Sequence, residues 1–224
     1  MIELTRQGPV FVLTMNAVEN RFNQRFIEAV NAALDEVEAS EGPAAMVTTG
    51  GTEKFYSNGL DLDWMVGEGS GESQAMLANL LRTLGRVLAF PVPSVAAING
   101  HVFAAGAMFA MAHDFRVMRA DRGYFCLPEV DLGLPLADGM AAVLHAKLTT
   151  RVLNELLLTG ARFGGGDCLE RGIVDEAVDG GQVLTRAIER AAALANKPRR
   201  IYASLKRSMY APAMSVLSEA KLPS

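Results

Sequence analysis

One carboxylate lies in surroundings that suit proton transfer. Glu129 follows a proline within the segment CLPEVDLGLP (Cys126 to Pro135), which is otherwise largely apolar and places no basic residue beside it. Apolar surroundings raise the pKa of a carboxyl group and make its ionised form a stronger base. Taken by itself, such a glutamate is more typical of a turn cap or of an arginine partner. Glu129 is therefore a candidate base that needs further support.

Two glycine-containing turns offer a second kind of chemistry. The segments KFYSNGLDLDWM (Lys54 to Met65) and INGHVFAAGAMF (Ile98 to Phe109) each include or follow an apolar stretch that is typical of a strand. Glycine permits a sharp turn, and the first turn of a helix carries free N–H groups at the positive end of its dipole. Two such turns side by side can direct two N–H groups at one oxygen, which is an oxyanion hole. The same glycines are equally typical of turns that bind nothing.

The spacing of other residues argues against several kinds of site. Neither turn reads G-x-G-x-x-G, and no glycine-rich run continues as G-K-[ST], so a dinucleotide fingerprint and a P-loop are absent. His101, His113 and His145 are dispersed, and Cys126 and Cys168 have neither metal-site nor redox spacing. We therefore expect no metal and no cofactor.

The composition of the 224 residues narrows the class of protein. The net charge is −4, and the only dense basic run lies between Lys197 and Arg207. A nucleic-acid-binding face is normally broader and more basic, so we expect no nucleic-acid partner. The first residues do not resemble a signal peptide, the cysteines favour a reduced compartment, and the final KLPS differs from the peroxisomal S-K-L. We therefore expect a cytoplasmic location.

One uncharged stretch is long enough to cross a bilayer. It runs from Val87 to Ala112 and exceeds the roughly 20 residues that a spanning helix needs. Pro91, Pro93 and the Asn-Gly pair divide it, so we expect a strand followed by a buried helix and no membrane span.

Hydrophobic patterning predicts an α/β protein in which strands and helices alternate, an order that favours a layered domain with mostly parallel pairing. Strand signals stop after about Pro135. We therefore expect residues 1–150 to form the core and residues 151–224 to form a helical region that covers it or mediates oligomerisation. The predicted strands are Gly8–Met15, Ala44–Gly51, Ser94–Gly100 and Phe115–Ala120. The predicted helices are Asn23–Ser40, Gln74–Ala89 and Ala104–Ala112.

Three ordered motifs resemble the signatures of the crotonase (enoyl-CoA hydratase/isomerase) superfamily. FYSNGLDL is similar to its F-S-x-G-x-D-[LI], PSVAAINGHVFAAGAMFAMAHDFRVM to its second, glycine-rich helix motif, and PEVDLGLPL to its PEvxlGlxP. Within the superfamily the chain looks most like plant-type Δ3,Δ2-enoyl-CoA isomerases. The resemblance runs from the first strand to about Met209. It implies a spiral of ββα turns with a C-terminal helical trimerisation region, and hence a homotrimer or a dimer of trimers.

The resemblance also implies roles for individual residues. The N–H groups of Leu60 and Ala105 would bind the thioester oxygen of the substrate, although the family usually has glycine at the second position. Glu129 matches a family catalytic glutamate, whereas Met108 stands where hydratases carry their other glutamate and argues against an ordinary hydratase. The residues expected to contact the acyl-CoA substrate are Ser57, Asn58, Gly59, Asp61, Leu62, Met108 and Lys206.

Some of these assignments compete with simpler ones. The signature aspartate, Asp61, is also typical of a residue that fixes its own turn by accepting N–H bonds. Lys206, Arg207 and Lys54 are candidates for the phosphates of coenzyme A, and equally for ordinary surface charge.

The activity implied by the resemblance is the movement of a 3-double bond of a fatty acyl-CoA to the trans-2 position. One carboxylate suffices, because the base that removes a proton from C2 can return it at C4 while the oxyanion hole holds the dienolate. The alternatives are another acyl-CoA reaction on this scaffold, namely hydration, thioester hydrolysis or decarboxylation, and a non-catalytic acyl-CoA-binding or RNA-binding member. The negative net charge disfavours RNA.

Overall fold

The computed structural model describes residues 1–219, and within them the strands form two sheets. The strands are β1 (Ile2–Gln7), β2 (Val10–Met15), β3 (Ala45–Gly50), β4 (Phe55–Ser57), β5 (Ser94–Ile98), β6 (His101–Phe103), β7 (Phe115–Arg119), β8 (Phe125–Cys126) and β9 (Glu176–Val178). The larger sheet has the order β1-β2-β3-β5-β7-β9, and the smaller has the order β4-β6-β8. Only the β1–β2 pair is antiparallel among these strands.

The helices pack around these sheets, and their sequences explain where they form. At the first of them the side chain of Asn23 caps the helix by accepting the Phe26 N–H at 3.0 Å, and an apolar stripe faces the core. The helices are α1 (Gln24–Ala39), α2 (Leu62–Val66), α3 (Ser73–Leu88), α4 (Ala105–Ala112), α5 (Glu129–Leu132), α6 (Asp138–His145), α7 (Thr150–Leu157), α8 (Gly165–Glu170), α9 (Val183–Leu194), α10 (Arg199–Met209) and α11 (Ala211–Glu219).

After α1 the chain alternates between the two sheets. Each turn contributes one strand to the larger sheet and the next strand to the smaller one, giving β3 then β4, β5 then β6, and β7 then β8. Helical segments follow each pair, at α2 and α3, at α4 and at α5. This is the expected spiral of ββα turns. Because each turn of the spiral repeats the same path, the three short strands of the smaller sheet run parallel to one another.

The larger sheet is buried on both faces. Along β2, Phe11, Leu13 and Met15 enter one core cluster, whereas Val10 and Val12 enter a second, as the period of two requires. The second cluster is completed by α9, whose core-facing residues are Val183, Ala187 and Ala191, followed by Ala195.

The region after residue 150 is therefore more than a helical outer layer. It contributes β9, which pairs with β7, and α9, which covers one face of the larger sheet. The expectation that strands end near Pro135 was wrong, because β9 has only three residues and shows no sustained pattern. The boundary at residue 150 stays a prediction.

The uncharged stretch from Val87 to Ala112 is divided between the end of α3, β5, β6 and α4, as expected. Among residues 1–219, the structure has no helix that is both long and apolar enough to span a membrane. The KLPS segment lies outside the described residues.

Candidate active site

Three predicted site residues meet at one edge of the smaller sheet. Leu60 follows β4, Ala105 follows β6, and Glu129 follows β8, each within three residues of its strand. Neighbouring parallel strands lie about 4.8 Å apart, so their carboxyl ends lie side by side. Leu60, Ala105 and Glu129 accordingly line a single cavity with a volume of about 480 Å³.

The first turn is held against the second by a residue without a side chain. Gly59 has φ = +88°, which lies in the left-handed region that favours glycine. A Cβ on Gly59 would lie 2.9 Å from the Ala104 Cβ and 3.0 Å from the Phe103 carbonyl oxygen. Both distances are shorter than ordinary contacts, so the close approach of the two turns depends on this glycine.

The second turn contains a strained residue. Ala104 has φ = +49° and ψ = −123°, a conformation that is rare for a residue with a side chain. Its N–H donates to the Cys126 carbonyl oxygen at 3.0 Å, which anchors the turn to β8. The helix α4 begins at the next residue, so the Ala105 N–H is one of the free groups of a first helical turn.

Two backbone donors at the cavity have no acceptor. Neither the Leu60 N–H nor the Ala105 N–H donates a hydrogen bond to any group of residues 1–219. Ala105 also has no positive φ, so alanine at this position can present its N–H as glycine would. The two amides can therefore stabilise a negatively charged oxygen that enters the cavity.

Glu129 combines burial with the absence of a partner. Its Oε2 is buried and has no hydrogen-bond partner within residues 1–219. Burial raises the pKa of the Glu129 carboxyl group above its ordinary value, and a hydrogen bond from its own backbone N–H offsets part of that rise. Neither of the simpler roles is seen in the described chain, since Glu129 makes no ion pair with an arginine and its side chain caps no helix. A carboxylate in this state is a strong base for its type.

Charged side chains that the sequence did not reveal lie at the same cavity. Arg21 lines it and bonds to Glu19 and Asp63, with its Nη1 3.0 Å from the Asp63 Oδ2. Arg162 also lines it, with its guanidinium 5.8 Å from the centre of the Phe103 ring and no carboxylate ion-pair partner in residues 1–219. No motif marks either arginine, because Arg21 reaches Asp63 and Arg162 reaches Phe103 only through the fold.

The remaining walls are mainly apolar, and they include two of the expected substrate contacts, Asn58 and Leu62. The apolar part of the lining includes Leu60, Leu62, Phe103, Leu132, Leu136 and Met140.

Three other expected contacts support the first turn without lining the cavity. Ser57 is fully buried, and its Oγ donates to the Asn20 carbonyl oxygen at 2.7 Å. Gly59 provides the close approach described above. Asp61 caps α2 by accepting the Trp64 N–H at 3.3 Å and also accepts from Asn23 at 3.0 Å. The expected turn-fixing role of Asp61 is thus observed, and each of its two carboxylate oxygens accepts one of these hydrogen bonds.

The structure does not support the expectation that Met108 and Lys206 contact the substrate. Met108 is 1% exposed in the core on α4 and does not line the cavity. Lys206 is 5% exposed, and its Nζ lies 2.7 Å from the Asp114 Oδ1. A buried ammonium group that is already paired cannot serve as a surface contact for phosphates. Lys54 and Arg207 are exposed but lie outside the cavity lining.

Lys206 is therefore expected to matter for stability. Lys206→Ala leaves the Asp114 carboxylate buried without its ion pair, which should lower the free energy of unfolding in urea by about 3 kcal/mol. The KM for an acyl-CoA substrate should stay unchanged. Arg207→Ala, on the exposed side of α10, is the matched control and should change neither quantity. A raised KM with unchanged stability would restore Lys206 to the substrate site.

Comparisons with known proteins give the family of this chain. Residues 5–221 match the family model described as enoyl-CoA hydratase/isomerase. Enoyl-CoA delta isomerase 3 of Arabidopsis thaliana is 35% identical over 219 residues, which cover 94% of this chain and 92% of that protein. Enoyl-CoA delta isomerase 2, peroxisomal, of the same plant is 32% identical over 228 residues, covering 97% and 95%.

A solved structure shows the same fold. The human mitochondrial delta3-delta2-enoyl-CoA isomerase superposes with a TM-score of 0.91 at 23% identity, covering 97% of this chain and 86% of that chain. The match of the family model to residues 5–221 shows that the chain belongs to the enoyl-CoA hydratase/isomerase family, which is the crotonase superfamily that its motifs resemble.

Proposed function

We propose that the protein is a Δ3,Δ2-enoyl-CoA isomerase, which moves the 3-double bond of a fatty acyl-CoA to the trans-2 position. One observation carries the proposal. A half-buried carboxylate whose Oε2 is buried and unpartnered, that of Glu129, lines the same cavity as two unpaired backbone N–H groups, those of Leu60 and Ala105. The names of the Arabidopsis relatives support the same reaction.

The first half of the reaction uses all three groups. The Leu60 and Ala105 N–H groups bind the thioester oxygen, which makes the C2 protons more acidic. Glu129 takes one proton from C2, and the electron pair of the broken C–H bond spreads over the dienolate. The negative charge gathers on the thioester oxygen, where two donors that are already in place stabilise it without having to reorganise.

The second half returns the same proton. Glu129 is now a neutral acid, and it protonates C4 of the dienolate while the new double bond forms between C2 and C3. The atoms of the substrate are unchanged in number, and Glu129 regains its charge. Conjugation with the thioester makes the product the more stable isomer.

Hydration needs a second group that this cavity lacks among its described lining residues. The position at which hydratases carry their other glutamate is Met108, which is buried in the core. The other acid of the lining, Asp63, has a side chain that is 92% exposed and paired with Arg21. With Met108 in the core and Asp63 paired with Arg21, the arrangement favours isomerisation over hydration.

Coenzyme A recognition is proposed for the mouth of the cavity. Arg162 has no carboxylate ion-pair partner in residues 1–219, whereas Arg21 is neutralised by Glu19 and Asp63. Guanidinium groups bind phosphate oxygens through charge-assisted hydrogen bonds. We therefore assign Arg162 to the phosphates of the substrate.

The raised pKa of Glu129 gives the activity a defined pH dependence. The base must be ionised, so kcat/KM is expected to rise with pH and to level off once the carboxyl group has lost its proton. Because burial raises the pKa of Glu129, the midpoint should lie above that of an exposed glutamate. Initial rates measured between about pH 4 and pH 9 would test this. A profile without a rise in this range would remove Glu129 as the base.

The function itself is tested with 3-hexenoyl-CoA. The wild-type protein should produce the conjugated 2-enoyl thioester, followed by its ultraviolet absorbance. Supplied with 2-hexenoyl-CoA, the protein should add water far more slowly. Absence of isomerisation would overturn the proposal, and hydration at a comparable rate would favour the hydratase alternative.

We also propose that the protein assembles as a homotrimer or a dimer of trimers. On α10, the exposed apolar residues Ile201, Leu205 and Met209 recur every four positions, which aligns them roughly along one face of the helix. Such a face supports association with another copy, and the mass in solution measured by light scattering tests it. Both cysteines are free and buried, which supports a reducing compartment such as the cytosol.

A further inference from the structure

The connection between β2 and α1 contains two strained residues. Val18 has φ = +47° and Asn20 has φ = +51°, and both lie in the left-handed region that residues with side chains seldom occupy. Their surroundings differ, since Val18 is 79% exposed and Asn20 is 1% exposed. A strained conformation in a buried residue persists only where the surrounding structure holds it.

Every polar group of the Asn20 side chain is used. Its Oδ1 accepts the Ala17 N–H at 2.8 Å, which closes the connection on itself. Its Nδ2 donates to the Tyr56 carbonyl oxygen at 2.9 Å, and its own carbonyl oxygen accepts the Ser57 hydroxyl at 2.7 Å. Asn20 therefore joins the connection to β4, directly before the turn that carries Leu60.

The residues on either side of Asn20 extend this attachment. The Asn58 N–H donates to the Glu19 carbonyl oxygen at 2.9 Å. The Phe22 N–H donates to the Gly59 carbonyl oxygen at 2.8 Å, and the Phe22 carbonyl oxygen accepts the Asp61 N–H at 3.0 Å. The connection thus binds the turn on both sides of Leu60.

The bond to Gly59 fixes the direction of the Leu60 N–H. The Gly59 carbonyl and the Leu60 N–H belong to one peptide unit, and in a trans peptide these two groups point in opposite directions. Because Phe22 holds the carbonyl oxygen on one side, the Leu60 N–H must point to the other side, towards the cavity that Leu60 lines.

We propose that Asn20 is the positioning residue for the Leu60 N–H. It holds the connection in the left-handed conformation that brings Phe22 to Gly59, and so aims the donor at the substrate oxygen. The inference rests on the proposed function for its effect on the reaction rate. Its effect on the direction of the amide is independent of that function.

The experiment compares three variants. Asn20→Gly permits the positive φ but removes both side-chain hydrogen bonds. Asn20→Asp keeps the acceptor for Ala17 and loses the donor to Tyr56. Val18→Gly relieves strain in the same connection at an exposed side chain that binds none of the site residues, and it is the matched control.

Both Asn20 variants are expected to lower kcat for 3-hexenoyl-CoA by about 30-fold, because a misdirected oxyanion donor forfeits part of its stabilisation of the dienolate. The Kd for saturated hexanoyl-CoA, which cannot form the dienolate, should change less than kcat. Val18→Gly should keep both values. Folded Asn20 variants that retain the wild-type kcat would overturn the proposal, and a lower melting temperature alone would assign Asn20 a purely structural role. Asn20→Asp serves if Asn20→Gly does not fold.

A second readout separates this proposal from the proposed function. In protein labelled with ¹⁵N-leucine, the Leu60 amide resonance should shift when hexanoyl-CoA binds to the wild type, and this shift should be lost in Asn20→Asp. If the wild type does not isomerise 3-hexenoyl-CoA but the shift still depends on Asn20, the function fails and the positioning role stands. An unchanged shift in the variant overturns the positioning role.

Discussion

Replacing Glu129 by glutamine is expected to lower kcat for 3-hexenoyl-CoA by about 10³-fold. The amide has almost the same shape as the carboxyl group but cannot accept the C2 proton, and the other carboxylate of the described lining, Asp63, is paired with Arg21. The KM should change little, because binding relies on the backbone donors and the cavity walls. Formation of the conjugated thioester under saturating substrate measures the effect.

The same variant has an expected effect on stability with the opposite sign. The pKa of Glu129 is raised in the folded protein, so the folded state holds this proton more tightly than the unfolded state does. The stability that the protonated carboxyl group provides is present at low pH and is lost as the pH rises through the raised pKa. Above the raised pKa the ionised, partly buried carboxylate is destabilising, and Glu129→Gln should then resist urea better than the wild type.

Asp131→Asn provides a matched control for Glu129→Gln. It makes the same chemical change two residues further along α5, at an exposed carboxylate. Its kcat should stay close to that of the wild type. Equal loss of kcat in both variants, or full activity in Glu129→Gln, would contradict the assignment of the base.

Replacing Gly59 by alanine is expected to lower kcat by about 10²-fold. The added methyl group would stand 2.9 Å from the Ala104 Cβ, so the two turns must separate and their N–H groups can no longer address one oxygen. The positive φ of Gly59 adds strain, and the free energy of unfolding should fall by about 2 kcal/mol. Kinetics and urea titration of the same preparation would show both effects.

Gly71→Ala is the control for this change, because a Cβ at Gly71 meets no atom within 4 Å and the residue has no positive φ. Gly59→Ala with wild-type kcat would show that the two turns do not act on one oxygen.

The long elements of the fold could be predicted from the sequence because their patterns are sustained. The predicted bounds of β2, β3, β5, α1 and α4 differ from the observed ones by only one or two residues at either end. The strands of the smaller sheet could not be predicted, because two or three residues show no period. The site residues follow those short strands. Hydrophobic patterning therefore predicts the larger sheet and the long helices but not the edge of the smaller sheet where the site lies.

The site itself was predictable mainly through the motifs. Local sequence makes Glu129 only a candidate base, and the match to a family signature turns it into a specific one. Lys206 was misassigned because its partner Asp114 lies far away in the sequence, and burial of an ion pair leaves no local signal. The hydrogen bonds of Asn20 to Tyr56 and Ser57 could not be predicted for the same reason.

The unpartnered Oε2 of Glu129 has a consequence for isotopic labels. No side chain of residues 1–219 is hydrogen bonded to this oxygen, so no protein group is in place to take a captured hydrogen from it. A substrate deuterated at C2 is therefore expected to yield a product that carries deuterium at C4. The label would then show that the hydrogen moved within one substrate molecule.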